Sequence, residues 1–185
     1  MKKVTTDIEK FQYFYPYTVA LVGAQMNDRI NFMACAWHTA LSFDPPLFGI
    51  LISKKRFTHD VISAAKEFTV NFLSMDKIKR SAQFGRISGH SQDKVHDFQL
   101  KISPSELIQS PIIQEAYVSL ECRLNAIQKY GDHDLFVGEV VAIQEDENSF
   151  DVSGVLNTPE ISPLLYLGSD IYISIDPKTR KHEVP

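Results

Sequence analysis

The chain has 185 residues, of which 44% are hydrophobic and 23% are charged, and its net charge at pH 7 is −4. This length suits a single domain over residues 1–185, and the mild acidity excludes a general nucleic-acid or anionic-membrane surface. Apolar runs are too short to span a bilayer, no signal peptide is visible, and two cysteines make no disulfide framework, so we expect a soluble cytoplasmic protein.

The first third of the chain alternates as strands do. Tyr17–Ala24 is β-branched and apolar, and a polar turn leads from it to Ile30–Leu41, so this part predicts two strands joined by a short loop. Asp44 and two prolines then break the pattern, because proline removes a backbone donor and restricts the preceding residue. Leu47–Ser53 predicts a third, buried strand.

A helix is predicted after the third strand. Thr58 can cap it, Asp60 suits the dipole of its first turn, and Val61 begins its apolar face. Phe68–Leu73 alternates again as a strand, and Asp76–Phe84 predicts a second helix.

Residues 85–111 predict a long irregular excursion, which in a compact domain is usually functional or mobile. His90, His96 and nearby aspartates have the chemistry to bind a metal. Their spacing is not diagnostic, however, so we predict a charged, hydrated loop and no metal site.

The last third adds further strands. Tyr117–Gln128 and Leu135–Ile143 form a pair, and Phe150–Leu156 and Ile171–Ile175 complete the set. Most strands are separated by turns and not by regular crossover helices. The pattern favours an antiparallel barrel with peripheral helices over a doubly wound sheet.

Three consecutive cations, Lys54, Lys55 and Arg56, precede the first predicted helix. A phosphate requires positive charge, fixed donors and a helix N-terminus, and here Arg56 offers a planar fork while Ser53 and Thr58 offer hydroxyls. In this interpretation Lys54 and Lys55 partly serve as reserve charge, that is, additional positive charge at the rim of the phosphate site. The alternative is a solvated loop whose cations pair with the acidic surface, because short basic motifs have many false positives.

The small, uncharged run Met33, Ala34, Cys35 and Ala36 lies on the second predicted strand. A strand without bulk lets a flat aromatic ligand lie against the backbone, although composition alone favours a tightly packed core strand. Cys35 has no obvious base at a diagnostic spacing, and buried cysteines are usually inert.

Several short motifs follow one another in a recognisable order: N-x-M-x-x-x-W, L-S-x-D-P-P, S-x-x-R-x-T and E-F-x-V-N, then SGHSQDKVHDF, LECRL and GDHDLFVGEV. Each is weak alone, but their shared order resembles the flavin reductase-like, FMN-binding split-barrel family. The chain departs from that pattern at Ala34 and Cys35, where threonine or serine is common, and at DKV, where the family usually has D-K-F. No GxGxxG motif stands between a predicted strand and a predicted helix, so we expect no separate Rossmann domain for the nicotinamide.

The resemblance implies a mainly β fold with peripheral helices, a six-stranded antiparallel split β-barrel, and a homodimer with FMN at its interface. It implies that phosphate contacts come from Ser53, Arg56 and Thr58, and that the isoalloxazine lies along Met33, Ala34, Cys35 and Ala36. Asn71 matches a family position with either a structural or a ligand-facing role. His133 is a possible catalytic residue near the ring, or a loop histidine that caps a turn.

The activity implied by the resemblance is hydride transfer from NADH or NADPH to the flavin, with a small molecule or a protein as final acceptor. Two other classes stay open. One is an FMN-carrying electron-transfer protein, flavoredoxin-like; the other is a non-enzymatic flavin-binding or haem-binding split barrel. Residues 85–111 would form a flap near the flavin, where Lys94 helps to shape the site.

Overall fold

The computed structural model describes residues 1–179. Its strands are β1 (Tyr17–Thr18), β2 (Ala20–Met26), β3 (Arg29–Cys35), β4 (His38–Phe43), β5 (Pro46–Ser53), β6 (Glu67–Phe72), β7 (Ile102–Ser103), β8 (Ile112–Ile113), β9 (Val118–Tyr130), β10 (His133–Glu145), β11 (Leu165–Gly168) and β12 (Ile171–Ile173). Its α-helices are α1 (Phe57–Ala65), α2 (Ile78–Arg86) and α3 (Lys94–Asp97), and 3-10 turns span Met75–Lys77 and Pro177–Thr179.

The main sheet has seven antiparallel strands in the order β3-β2-β6-β9-β10-β5-β4. A small sheet joins β1, β11 and β12, and β7 pairs with β8. Among the described residues the end strands β3 and β4 share no strand pairing, so the barrel is split. The predicted mainly β split-barrel fold is confirmed.

The sheet has seven strands because the predicted strand Ile30–Leu41 is two strands. β3 pairs with β2, whereas β4 pairs with β5, so the chain changes partner at Ala36 and Trp37. The amide of Leu51 donates to the Trp37 carbonyl at this corner. Alternation of side chains carries no information about partner exchange, so the corner was not predicted.

Two apolar cores lie on opposite faces of β2 and β3. The barrel core collects Ile50, Phe68, Phe136 and one face of α1. The outer core packs α2 through Phe84 against the other face of β3, where Phe32 lies. Each fully buried phenylalanine contributes about 1.5–3 kcal/mol, so α2 is held firmly beside β3 and forms a wall above that strand.

Three local predictions were wrong. Thr58 does not cap α1, because the helix begins at Phe57, and no side chain within residues 1–179 caps it. Phe150–Leu156 is a single antiparallel bridge and not a strand. Residues 85–111 contain the end of α2, all of α3 and β7, so the excursion is partly regular.

No helix in the described part of the chain is long and apolar enough to cross a membrane.

Candidate functional site

A groove follows β3 and the corner after it, from Asn31 to Trp37, with α2 and the turn after it as the opposite wall. Three cavities adjoin along it, because Ala34 and Gly85 line both the first and the second, and Ala36 lines both the second and the third. The first encloses about 20 Å³ and holds only a small group. The second and third, of about 190 and 380 Å³, are large enough for parts of a bigger ligand.

The first cavity is the cationic end of the groove. Arg56 and Thr58 line it together with Lys94. Arg56 is exposed, and no carboxylate pairs with it among residues 1–179. Since α1 has no side-chain cap, its N-terminal end also favours an anion here.

Lys94 is an unusual member of this end because its side chain is buried. The residue is 2% exposed, and its ammonium donates to the carbonyls of Phe32 and Phe84. Burial, reinforced by the nearby Arg56, lowers the pKa of Lys94 to about 8. An ammonium has three donors, so one remains for a ligand in the cavity.

The middle of the groove has a floor of small side chains. Ala34 and Ala36 face the second cavity, and Tyr166 and Tyr172 from the small sheet close it. Beyond Ala36 the walls become aromatic, with Trp37 and Tyr17 lining the third cavity. The hydroxyl of Tyr17 is buried and has no hydrogen-bond partner in the described structure. The groove therefore runs from a cationic end, over a flat floor, to an aromatic end.

Comparison with known proteins decides the family. Residues 12–173 match the family described as flavin reductase like domain. The chain belongs to this family. A solved FMN-binding protein from Thermus thermophilus, determined with bound 1-cyclohex-2-enone, is similar over 98% of this chain and 99% of that chain, with a TM-score of 0.87 and 34% identity.

Two further proteins with different functional names are similar to most of this chain. A flavoredoxin structure from Methanosarcina acetivorans is similar over 95% of this chain and 92% of that chain, with a TM-score of 0.84 and 28% identity. A flavin reductase from Pseudomonas putida is 30% identical over 137 residues, which are 73% of this chain and 77% of that protein.

The structure brings some of the predicted site residues together. Arg56, Thr58, Met33 and Ala34 line one cavity, and Ala36 lines the next. Thr58 is 1% exposed, and its hydroxyl accepts a hydrogen bond of 2.7 Å from the Asn31 amide. The Thr58 oxygen thus accepts within the protein while its O–H keeps a donor, and the exposed Arg56 is open to a ligand.

Cys35 is not a groove residue, although it lies between Ala34 and Ala36. Side chains alternate along a strand, so its thiol points into the barrel core, where it contacts the carbonyls of Trp37 and Leu51. Burial raises the pKa of the Cys35 thiol to about 12. Cys35 can therefore offer a ligand in the groove its backbone but not its thiol, and the inertness of the thiol follows from this burial.

Asn71 has no capacity left for a ligand. It is fully buried in β6, and its amide donates to the Leu21 carbonyl and to Thr69 Oγ1. Its oxygen accepts from the Ile113 amide and the Ser119 hydroxyl. All four hydrogen-bonding positions of this side chain are used, so the structure gives Asn71 the structural one of its two predicted roles.

Ser53 and His133 lie opposite each other, at the end of β5 and the start of β10. Neither lines the cationic cavity. The His133 ring lies 4.9 Å from the Trp37 ring, between centroids, and its Nδ1 is 2.9 Å from an oxygen of Asp132. This histidine therefore stands beside the aromatic end of the groove and does not line the cavity that contains Arg56.

The cation Lys54 is not reserve charge. Its ammonium lies 3.4 Å from Asp134, whose other oxygen accepts from His59 at 3.0 Å. The bond from His59 and the charge of Lys54 hold the pKa of Asp134 below its usual value. The sequence did not predict this cluster, because its members lie far apart in the chain. It did not predict Tyr166 as a groove residue either, because Tyr166 is far in sequence from the β3 residues that it faces.

The groove suits a flat aromatic molecule that carries a phosphate. At the cationic end, the end of α2 and the turn after it pack closely against β3, because a Cβ on Gly89 would lie 2.2 Å from the Asn31 oxygen and one on Gly85 would lie 3.3 Å from the Ala34 methyl. No cluster of three His, Cys, Asp or Glu side chains within residues 1–179 is arranged to hold a metal ion. His96 instead contacts its neighbour Asp97.

Proposed function

We propose that the protein binds FMN along the β3 groove and catalyses oxidoreduction with NADH or NADPH as electron donor. The observation that carries this proposal is the order of features along β3. An exposed arginine and a buried ammonium lie at one end, small side chains form the floor, and aromatic side chains form the other end. Such an arrangement fits a cofactor with a phosphate at one end and a planar ring at the other.

Each part of the groove has a distinct task in this proposal. Arg56 and the uncapped end of α1 bind the phosphate, and the Lys94 ammonium donates its remaining hydrogen bond to an anionic or carbonyl oxygen. Ala34 and Ala36 leave room for the ring against the strand. FMN, when bound, supplies the hydride-accepting chemistry, so no side-chain acid or base is required for that step.

The aromatic end gives the electron donor a place to approach. Trp37 and His133 stand together there, and Asp132 accepts from the histidine ring. Their contact, assisted by charge attraction, lowers the pKa of Asp132. In this proposal Asp132 orients the His133 ring, and the Trp37 face limits access of water to the ring-binding part of the groove.

A homodimer is part of the proposal. Phe43, at the end of the edge strand β4, is 99% exposed, and Leu41 on the same strand is 44% exposed. An edge strand that presents apolar side chains to water is a liability unless another chain covers it. We expect sedimentation at micromolar concentration to give about twice the 21.0 kDa chain mass, and Phe43→Lys to shift the mass toward the monomer.

The same site also fits an electron carrier whose donor is a protein. The similarity to a flavoredoxin over nearly the whole chain supports this second candidate. It shares the FMN groove with the first candidate and differs in the partner at the aromatic end.

Anaerobic titration of the FMN-loaded protein distinguishes the two. Stoichiometric NADH or NADPH should bleach the flavin absorbance within seconds, and Trp37→Ala should slow bleaching while FMN stays bound. Failure of both nucleotides to bleach bound FMN, combined with bleaching by a reduced protein donor such as ferredoxin, would favour the carrier. A protein that binds no flavin would remove both candidates.

A further inference from the structure

A buried carboxylate lies behind the cationic end of the groove without lining it. Asp134, near the start of β10, is 3% exposed and is absent from the walls of the first two cavities. One oxygen accepts from His59 Nε2 at 3.0 Å, and the other lies 3.4 Å from Lys54 Nζ. Both of its partners come from the short segment that carries Arg56.

The two partners stand on either side of Arg56 in the chain. The Arg56 amide donates to the Ser53 carbonyl at 2.9 Å, and the His59 amide donates to the Arg56 carbonyl at 2.9 Å. These bonds make a tight turn that runs directly into α1. No side chain within residues 1–179 caps α1, and the contacts with Asp134 add a side-chain tie between this turn and β10, beside the backbone pairing of Ser53 with His133.

We propose that Asp134 is a positioning residue for phosphate recognition. By binding Lys54 and His59 together, it fixes the turn so that the Arg56 fork and the first amides of α1 are arranged before the ligand arrives. Preorganisation of this kind strengthens binding because the conformational entropy of the turn is not lost during association. The inference rests on the proposed FMN site.

Simple electrostatics predicts the opposite effect of removing this carboxylate. Asp134 is a negative charge close to an anion-binding end, and its loss would also release Lys54 toward a phosphate. If charge alone determined affinity, a neutral residue at position 134 would strengthen FMN binding. If the position of the turn determines affinity, the same change weakens it, so the sign of the effect decides.

The test compares the affinities of FMN and riboflavin for Asp134→Asn, measured by quenching of flavin fluorescence. Riboflavin lacks the phosphate and reports on the rest of the groove. We expect FMN affinity to fall about tenfold, the effect of losing one charge-assisted contact, and riboflavin affinity to change by less than about twofold. Glu115→Gln is the matched control, because it removes a carboxylate from the ion pair with Arg80, outside the turn.

A second variant keeps the test decisive if Asp134→Asn does not fold. His59→Ala leaves the carboxylate paired with Lys54 and should lower the ratio of FMN to riboflavin affinity in the same direction, by less. A ratio that is unchanged or higher in the folded variant overturns the positioning role. Equal affinity of the wild-type protein for the two flavins would instead remove the phosphate anchor itself, and the positioning role with it.

Discussion

Two neighbouring segments are tied to the barrel by opposite charges. The groove segment, residues 86–99, is held by a cation, because buried Lys94 donates to carbonyls of β3 and α2. The clasped segment, residues 104–111, is held by two glutamates. Glu121 accepts from the amides of Glu106 and Leu107, and Glu67 accepts from those of Gln109 and Ser110.

The difference explains why only one segment can serve a ligand. Two carboxylates use their oxygens on backbone amides, so the clasped segment is complete in itself. Burial alone would raise the pKa of Glu121, but the amides and Gln144 hold it below its usual value. An ammonium bound to two carbonyls keeps a donor and a positive charge, so the groove segment has capacity left for an anion, as the proposed FMN site requires. The two segments are only four residues apart in the sequence, but their charged anchors leave them with different capacities to bind a ligand.

The largest effect on stability is expected when the hydrogen bonds between Glu121 and the clasped segment are removed. Glu121→Gln replaces an acceptor with a donor in front of a backbone amide, and buried donors left unsatisfied cost about 2–4 kcal/mol in total. Urea denaturation should show this loss in the free energy of unfolding, while the ratio of FMN to riboflavin affinity stays at its wild-type value. Glu147→Gln, at an exposed hairpin tip, should change neither. A large change in the ratio of FMN to riboflavin affinity for Glu121→Gln would show that the two segments act as one functional unit.

The cation in the groove segment predicts a pH dependence. The pKa of Lys94 is lowered from 10.5 to about 8, so between these values the unfolded chain binds more protons than the folded one, and stability without ligand should rise with pH. FMN affinity should fall over the same range, by up to about tenfold per pH unit above 8, because the ligand requires the charged form. Lys94→Met should remove both slopes. If FMN affinity stays constant from pH 7 to 9.5, Lys94 does not contribute its charge to FMN binding.

A smaller effect concerns protection by the ligand. Because FMN completes the contacts of the groove segment, it should slow hydrogen exchange, or proteolysis, in residues 86–99 by about threefold or more. Residues 104–111 should exchange at the same rate with and without FMN, since their amides are already bound to glutamates. Equal protection of both segments would mean that they respond as one flap, as the sequence predicts.

The sequence predicted the barrel and the cationic turn because both depend on local pattern. Alternating strands and the series of short motifs gave the fold, and the run ending in Arg56 pointed to the exposed cation at the end of the groove, whose role as an anion site stays a prediction. The corner at Trp37 was missed because β3 and β4 read as one alternating strand. Lys54 was misjudged because its partner, Asp134, is eighty residues away in the sequence, and only the pairing of β10 with β5 brings the two together.

The side-chain direction of Cys35 and the saturation of Asn71 depend on register and on distant partners. Both residues belong to segments that match the family, and position in a motif does not reveal which face of a strand points to a ligand. Burial and hydrogen bonding decide that, and they require the assembled sheet.

The most direct test of the account measures the affinities of FMN and riboflavin for Arg56→Ala, with Lys55→Ala as the control from the same turn. Arg56 lines the groove and has no carboxylate partner within residues 1–179, so its loss should weaken FMN binding by about 1.5–3 kcal/mol, the contribution of a charged hydrogen bond, and should leave riboflavin nearly unaffected. Lys55→Ala should have a much smaller effect on either flavin. If Arg56→Ala binds FMN as tightly as the wild-type protein does, the phosphate is bound elsewhere and the assignment of the groove is wrong.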